Sequence, residues 1–124
     1  MKIGIYGGTF NPPHLGHMFS AQAAVELLEL DRLFFIPAAP PPHKELPAHG
    51  AEGPDRLAMA ALMADGLGER LRRRDCVAAL DLELRRAGRS YTSDTLAELH
   101  DQYPGDELWL LMGSDMFLTL QHWY

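Results

Sequence analysis

The sequence has one cysteine, Cys76, in 124 residues. A lone thiol allows neither an internal disulfide nor a cysteine-based zinc site, and it fits a reducing compartment. Long apolar runs are also missing. No stretch approaches the roughly 18 residues that a membrane-spanning helix needs. No secretory leader is legible, because Met1-Lys2 runs directly into a strand-like segment. The expected location is the cytoplasm, without a membrane partner. Positive charge is in short supply as well. With 11 Lys and Arg against 17 Asp and Glu, the net charge is −6, which argues against a broad nucleic-acid-binding face. Any phosphate chemistry then depends on local donors rather than on a general positive field.

The remaining composition is that of a globular protein. Hydrophobic residues reach 47% and charged residues 23%, so a core is expected. The length suits one domain covering residues 1–124. Lys2 to Tyr6 reads as a short strand with Ile3 and Ile5 on one face, stopped by Gly7-Gly8. From His17 to about Leu30, Met18, Ala21, Val25 and Leu28 recur at spacings of three and four, the stripe of an amphipathic helix. Arg32 to Pro37 holds the continuous apolar run Leu33-Phe34-Phe35-Ile36, as in buried parallel strands. These forty residues make a βαβ unit.

Pro37 to Pro54 is a long proline- and glycine-rich loop, and loops of that length favour a functional role. Asp55 can cap a second helix running towards Leu67. The arginines Arg70 and Arg72 to Arg74 read as solvated surface. Cys76 to Leu84 reads as a third strand, on the alternation of Leu80, Leu82 and Leu84. Thr92 or Ser93 can cap a third helix with the stripe Leu96, Leu99 and Tyr103, closed by Pro104-Gly105. Leu108 to Met112 is a fourth strand, and Gly113-Ser114-Asp115 turns towards a further helix. The expected fold class is α/β, Rossmann-like, with a mostly parallel sheet covered by helices on both faces. Ligands of such sheets bind beyond the carboxyl ends of the strands. Gly7 to His17, Pro37 to Lys44, and Gly113 to Asp115 all fall there.

The densest chemistry lies in Gly7-Gly8-Thr9-Phe10-Asn11-Pro12-Pro13-His14-Leu15-Gly16-His17. Two glycines after a strand let backbone N–H groups approach a phosphate. The following helix points its unpaired N–H groups and positive dipole end at the same place. His14 and His17 can both face one polyphosphate, and Gly16 leaves room for a nucleotide against the backbone. The plainer reading is a glycine turn with two exposed histidines; zinc lacks its usual cysteine pair or His-Glu-x-x-His element. Taken singly, Lys44 reads as a solvated lysine, Thr92 and Asp115 as helix caps, and Trp123-Tyr124 as core.

Together these residues are identifiable. Gly-Gly-Thr-Phe-x-Pro-x-His-x-Gly-His resembles the signature of the HxGH-motif nucleotidyltransferases, and within them the nicotinate-nucleotide adenylyltransferase family. Pro41-Pro42-His43-Lys44, Ser90-Tyr91-Thr92-x-Asp94-Thr95-Leu96, Gly113-Ser114-Asp115 and Trp123-Tyr124 resemble further segments of that family. The resemblance implies adenylyl transfer from ATP to nicotinate mononucleotide, with Mg²⁺ accompanying ATP and no covalent enzyme intermediate. It implies catalytic roles for His14, His17 and Lys44, and ATP contacts from Gly8, Thr9, Phe10, His14, His17, Gly113 and Asp115. Lys44, Thr92, Trp123 and Tyr124 would hold the nicotinate nucleotide, the aromatic pair by stacking on the electron-poor ring. No side chain is assigned to a metal. The alternatives are another small phosphate acceptor, such as phosphopantetheine, or nucleotide binding without turnover. A homo-oligomer is compatible with the sequence.

The resemblance also implies a continuation beyond Tyr124, a Ser/Thr-rich turn and an isoleucine-arginine helix start that grip the ATP phosphates. The C-terminal part of the domain is therefore expected to be missing, and the activity of these 124 residues alone is open.

Overall fold

The computed structural model describes residues 1–8, 10, 13–38, 53–85 and 92–111. Four strands and three helices alternate: β1 Lys2–Gly8, α1 Leu15–Leu28, β2 Arg32–Pro37, α2 Gly53–Leu71, β3 Val77–Ala79, α3 Thr92–Gln102 and β4 Glu107–Leu111. The strands form one sheet in the order β3-β2-β1-β4, and all three pairings are parallel. This is the Rossmann-like α/β sheet expected from the sequence.

Strand β2 shows why the chain folds this way. It sits between β1 and β3, so both of its faces must be apolar. Leu33 and Phe35 enter a core with Val25 of α1 and Ala60, Ala64 and Leu67 of α2. Phe34 and Ile36 turn the other way, to a core with Ile3, Ile5 and Leu99 of α3. Helices thus cover both faces. The register places Ile5 beside Phe34 on one side and Leu110 on the other, which joins three strands in one apolar layer under α3.

Strand order reverses at β1, with β2 on one side and β4 on the other. Crossovers leaving in opposite directions open a crevice at the carboxyl ends of those strands. The chain following Gly8 leaves the sheet at that crevice.

Several boundaries differ from the sequence reading. Gly7 and Gly8 do not stop β1; they remain paired with Ile36 and Pro37. The third strand is Val77–Ala79, not Cys76 to Leu84. Leu80 still donates its N–H to the Phe35 carbonyl, at 2.8 Å. The chain then turns over residues 82–85, closed by an Arg85 N–H to Asp81 carbonyl bond. Leu82 is buried, from that turn, in the core under α3. A leucine alternation made by an edge strand and a turn imitates one longer strand. Helix α2 begins at Gly53, so Asp55 lies inside its first turn, where its charge favours the dipole. Of the arginines read as solvated, Arg73 is exposed but donates to the carbonyls of Leu30 and Asp31.

Phe35 is fully buried and touches the rings of Tyr6 and Phe10. Replacing it by alanine removes the ring and leaves a cavity. Phe35→Ala should lower the unfolding free energy by about 3–5 kcal/mol. Urea denaturation of parent and variant measures this, and a loss below about 1 kcal/mol would contradict so central a place for the ring.

Candidate functional site

The glycine loop ends in a helix start that the sequence reading placed too late. Helix α1 begins at Leu15, and its N-cap is His14, with extended backbone (φ −142°, ψ 176°). Histidine is not a usual capping residue, so periodicity alone pointed to His17. The cap is reciprocal. The Gly16 N–H donates to His14 Nδ1 at 3.0 Å, and the His14 N–H donates to His17 Nδ1 at 3.0 Å. Two backbone donors that a helix end leaves orphaned are thereby satisfied.

This geometry fixes the chemistry of both rings. An Nδ1 that accepts a backbone N–H carries no proton, so each neutral imidazole holds its proton on Nε2. The rings stack with centroids 3.9 Å apart and planes 24° from parallel. Two stacked imidazoles, each with Nε2 as its donor, result at the positive end of α1, where anionic oxygens are favoured. His17 is half-buried, edge-on to Phe10 at 5.0 Å and to Tyr6 at 6.0 Å. Burial, and secondarily the charge of His14, hold the His17 pKa below the ordinary histidine value.

Gly16 has a reason internal to the chain. A Cβ there would lie 2.8 Å from His14 Cε1 and 2.9 Å from Nδ1. The glycine first makes room for the capping imidazole, rather than for a nucleotide. Gly7 differs: a Cβ there would meet nothing within 4 Å, so the space beside its backbone is open.

Phe10 was expected to line the nucleotide site. Its ring is instead 1% exposed and packed in the core with Phe35, Tyr6 and His17. Its φ of 49° is left-handed, a strained conformation for an aromatic residue. The buried ring holds that strain in place, and only the Phe10 backbone is left to face a ligand.

Gly8, His14 and His17 are brought together at the carboxyl end of β1. Thr92 is the first residue of α3. Thr9, Lys44, Gly113, Asp115, Trp123 and Tyr124 lie outside the described residues. On the α3 side of the strand ends is a small cavity of about 50 Å³, bordered by Gly7, Gly8, Ala38, Thr95 and Leu111. Its polar element was not anticipated: buried Thr95 donates its hydroxyl to Glu83 at 2.8 Å. A wider concavity of about 440 Å³ lies at the opposite end of the sheet, against Glu29, Asp31, Arg70 and Arg73. It holds none of the glycine-loop residues, whereas the smaller cavity takes in Gly7 and Gly8 but neither histidine. Among the described residues, no group of three His, Cys, Asp or Glu could hold a metal ion.

Buried Arg56 was also missed. The signal was available, since Arg56, Ala60, Met63, Ala64 and Leu67 share one face of α2 and all are buried. An arginine on an apolar stripe is a residue the fold must satisfy.

Two expectations follow. Alanine normally stabilises a helix relative to glycine by about 1 kcal/mol, but at position 16 it must push His14 out of its cap. Gly16→Ala should therefore destabilise the protein by about 1 kcal/mol, the usual loss of an N-cap; a rise in melting temperature would refute this account of the glycine. The second concerns pH. With its folded pKa depressed below 6.5, His17 resists the proton that the unfolded chain accepts first. Its contribution is whole above that pH and is lost as pH falls through the folded pKa. His17→Asn, which keeps an acceptor but does not titrate, should flatten the fall in urea-measured stability on acidification. Identical pH profiles for variant and parent would exclude His17 as the titrating group.

Comparison with known proteins agrees with this geometry. The sequence model of the cytidylyltransferase-like family matches residues 5–124. The chain is similar to the probable nicotinate-nucleotide adenylyltransferase of Shouchella clausii (strain KSM-K16), with 46% identity over 98% of this chain and 59% of that protein. It is also similar to the protein of the same name from Geobacter sulfurreducens, with 44% identity over 100% of this chain and 54% of that protein. Among solved structures, Plasmodium falciparum nicotinic acid mononucleotide adenylyltransferase complexed with NaAD matches with a TM-score of 0.81. That match has 20% identity and covers 99% of this chain and 57% of the other; at such identity it speaks for the fold. The chain spans a little over half the length of the curated relatives it matches. With a family match from residue 5 to residue 124 and the parallel sheet that goes with it, the chain belongs to the cytidylyltransferase-like family.

Proposed function

We propose that this chain is the nucleotide-binding part of an enzyme that transfers AMP from ATP to nicotinate mononucleotide, releasing pyrophosphate. The observation that carries the reading is the reciprocal histidine cap, which leaves Nε2 as the donor atom of both rings at the start of α1. Identities of 46% and 44% to relatives named as nicotinate-nucleotide adenylyltransferases supply the substrate class.

In this reaction a phosphate oxygen of the mononucleotide attacks the α-phosphorus of ATP in line. A new P–O–P bond forms as the bond to the bridging oxygen of the leaving pyrophosphate breaks. No nucleophilic side chain is required; the task is alignment and stabilisation of charge on oxygen. Neutral imidazoles that donate from Nε2 suit it, because their orientation is set before substrate arrives and costs nothing during the reaction. The N-terminus of α1 adds its own N–H groups and dipole.

Outside the described residues, Lys44 is proposed to neutralise charge near the reacting phosphates. Thr9, Gly113 and Asp115 are proposed at ATP, and Thr92, Trp123 and Tyr124 at the nicotinate nucleotide. Mg²⁺ fits as the companion of ATP, where it would supply neutralisation of phosphate charge. A cytoplasmic location fits the buried free thiol of Cys76.

The relatives' greater length favours one further reading for the piece itself, nucleotide binding without turnover. Pyrophosphate release by this chain, compared with one carried to the relatives' full length, separates the two. Offering phosphopantetheine and nicotinamide mononucleotide beside nicotinate mononucleotide tests the acceptor. In the full-length chain, His17→Ala should lower kcat by about 10²–10³, the usual effect of deleting one transition-state donor. Binding of the mononucleotide should change little. Turnover close to that of the parent would remove His17 from the mechanism.

A further inference from the structure

The buried guanidinium of Arg56 lies at the carboxyl end of β2. It is 2% exposed, in the first turns of α2. Its Nη1 donates to the Ala38 carbonyl at 2.7 Å, across 18 residues of sequence. The Ala38 N–H in turn donates to the Gly8 carbonyl at 2.7 Å. Three segments are therefore tied in series: the start of α2, the residue that leaves β2, and the last glycine of β1. Gly8 and Ala38 both border the cavity at the strand ends.

The relay extends the sheet past its regular edge. The last β1–β2 partners are Gly8 and Pro37, and proline has no N–H to donate. Ala38 is the first residue beyond β2 that can donate to β1, and its own carbonyl would point out of the sheet without a partner from the helical layer. Arg56 supplies that partner. Burying a guanidinium is costly unless its hydrogen bonds are well made, and methionine or leucine would fill the same stripe of α2 without that cost. Holding the Ala38 carbonyl gives the guanidinium a use on this stripe that packing alone would not need.

We propose that Arg56 is a positioning residue of the nucleotide site: through Ala38 it holds the Gly8 peptide, and hence the start of the glycine loop, in the conformation that receives phosphate. The kinetic part rests on the adenylyl-transfer reading, but the structural part does not. Arg56 is shut away from solvent and bonds the Ala38 carbonyl. It acts by reducing the number of conformations open to the strand end, so its loss should appear in kcat more than in KM.

The test uses a chain of the relatives' full length and two variants, Arg56→Gln and Arg56→Lys. Amide hydrogen exchange reads the relay directly. In Arg56→Gln the Ala38 amide should exchange about 10-fold faster relative to the Phe34 and Phe35 amides, as expected when a charge-assisted hydrogen bond to the segment is lost. For nicotinate mononucleotide and ATP, kcat should fall about 10-fold, with each KM within about threefold of the parent. Arg56→Lys keeps the charge but offers a single ammonium in place of a planar fork, and should lie between parent and Gln variant on both measures. If Arg56→Gln does not fold, the lysine variant is judged by the same two measures against the parent.

Equal acceleration of the Ala38, Phe34 and Phe35 amides would mean general destabilisation and would overturn the proposal. An unchanged kcat in a folded variant would do the same. A parent chain that forms no dinucleotide while Arg56→Gln selectively frees the Ala38 amide would instead overturn the adenylyl-transfer reading and leave the relay standing.

Discussion

The two Nδ1 lone pairs of His14 and His17 are committed to backbone N–H groups, and most of the site's character depends on that commitment. Once both lone pairs are spent inside the helix start, Nε2 is the atom left to each ring as a donor. The same cap dictates glycine at position 16, because a methyl group would occupy the place of the His14 ring. It brings His17 against Phe10 and Tyr6, where partial burial disfavours the imidazolium. A spacing that suggests two solvent-exposed phosphate ligands is therefore first a piece of helix architecture. The phosphate role proposed for the pair would rest on how the helix begins.

The sheet supplies the rigid frame for this cap. Strand β2, apolar on both faces, fixes α1 and α2 on one side and α3 on the other. Phe10 carries an unfavourable backbone conformation at the strand exit, and its ring is buried against Phe35 of β2. Strain at the loop is thus opposed by burial in the core. Arg56 and Ala38 continue the ordering one residue beyond the last strand pairing. Those contacts tie the ends of β1 and β2 to the helical layer.

Charge explains why such local devices are needed. A chain of net charge −6 gains no general attraction for a polyphosphate. Backbone N–H groups, a helix dipole and two neutral imidazoles act only at short range, so they discriminate by geometry. The same economy fits membership of the cytidylyltransferase-like family, in a chain that spans a little over half the length of its matched relatives.

The sequence by itself determined the fold class and pointed to the glycine stretch after β1 as the place to expect a site. A continuous apolar run can be satisfied only between two strands and two helical layers, and a glycine pair followed by a helix marks a strand end open to ligands. Leu33 to Ile36 and Gly7 to His17 were legible for those reasons, because both signals are local. Whatever depended on which side chain meets which backbone was decided only by tertiary structure. The leucine alternation after Cys76 could not reveal that β3 ends at Ala79, since Leu82 is buried from a turn. Phe10 was expected at the ligand, but its ring turns in towards Phe35 and leaves that contact to its backbone. Gly16 looked like room for a nucleotide until His14 was found folded against it. Arg56 carried a sequence signal, a charge on an apolar stripe, but one of its partners is a carbonyl 18 residues away. No periodicity encodes such a bond, because it exists only once α2 has packed against β2.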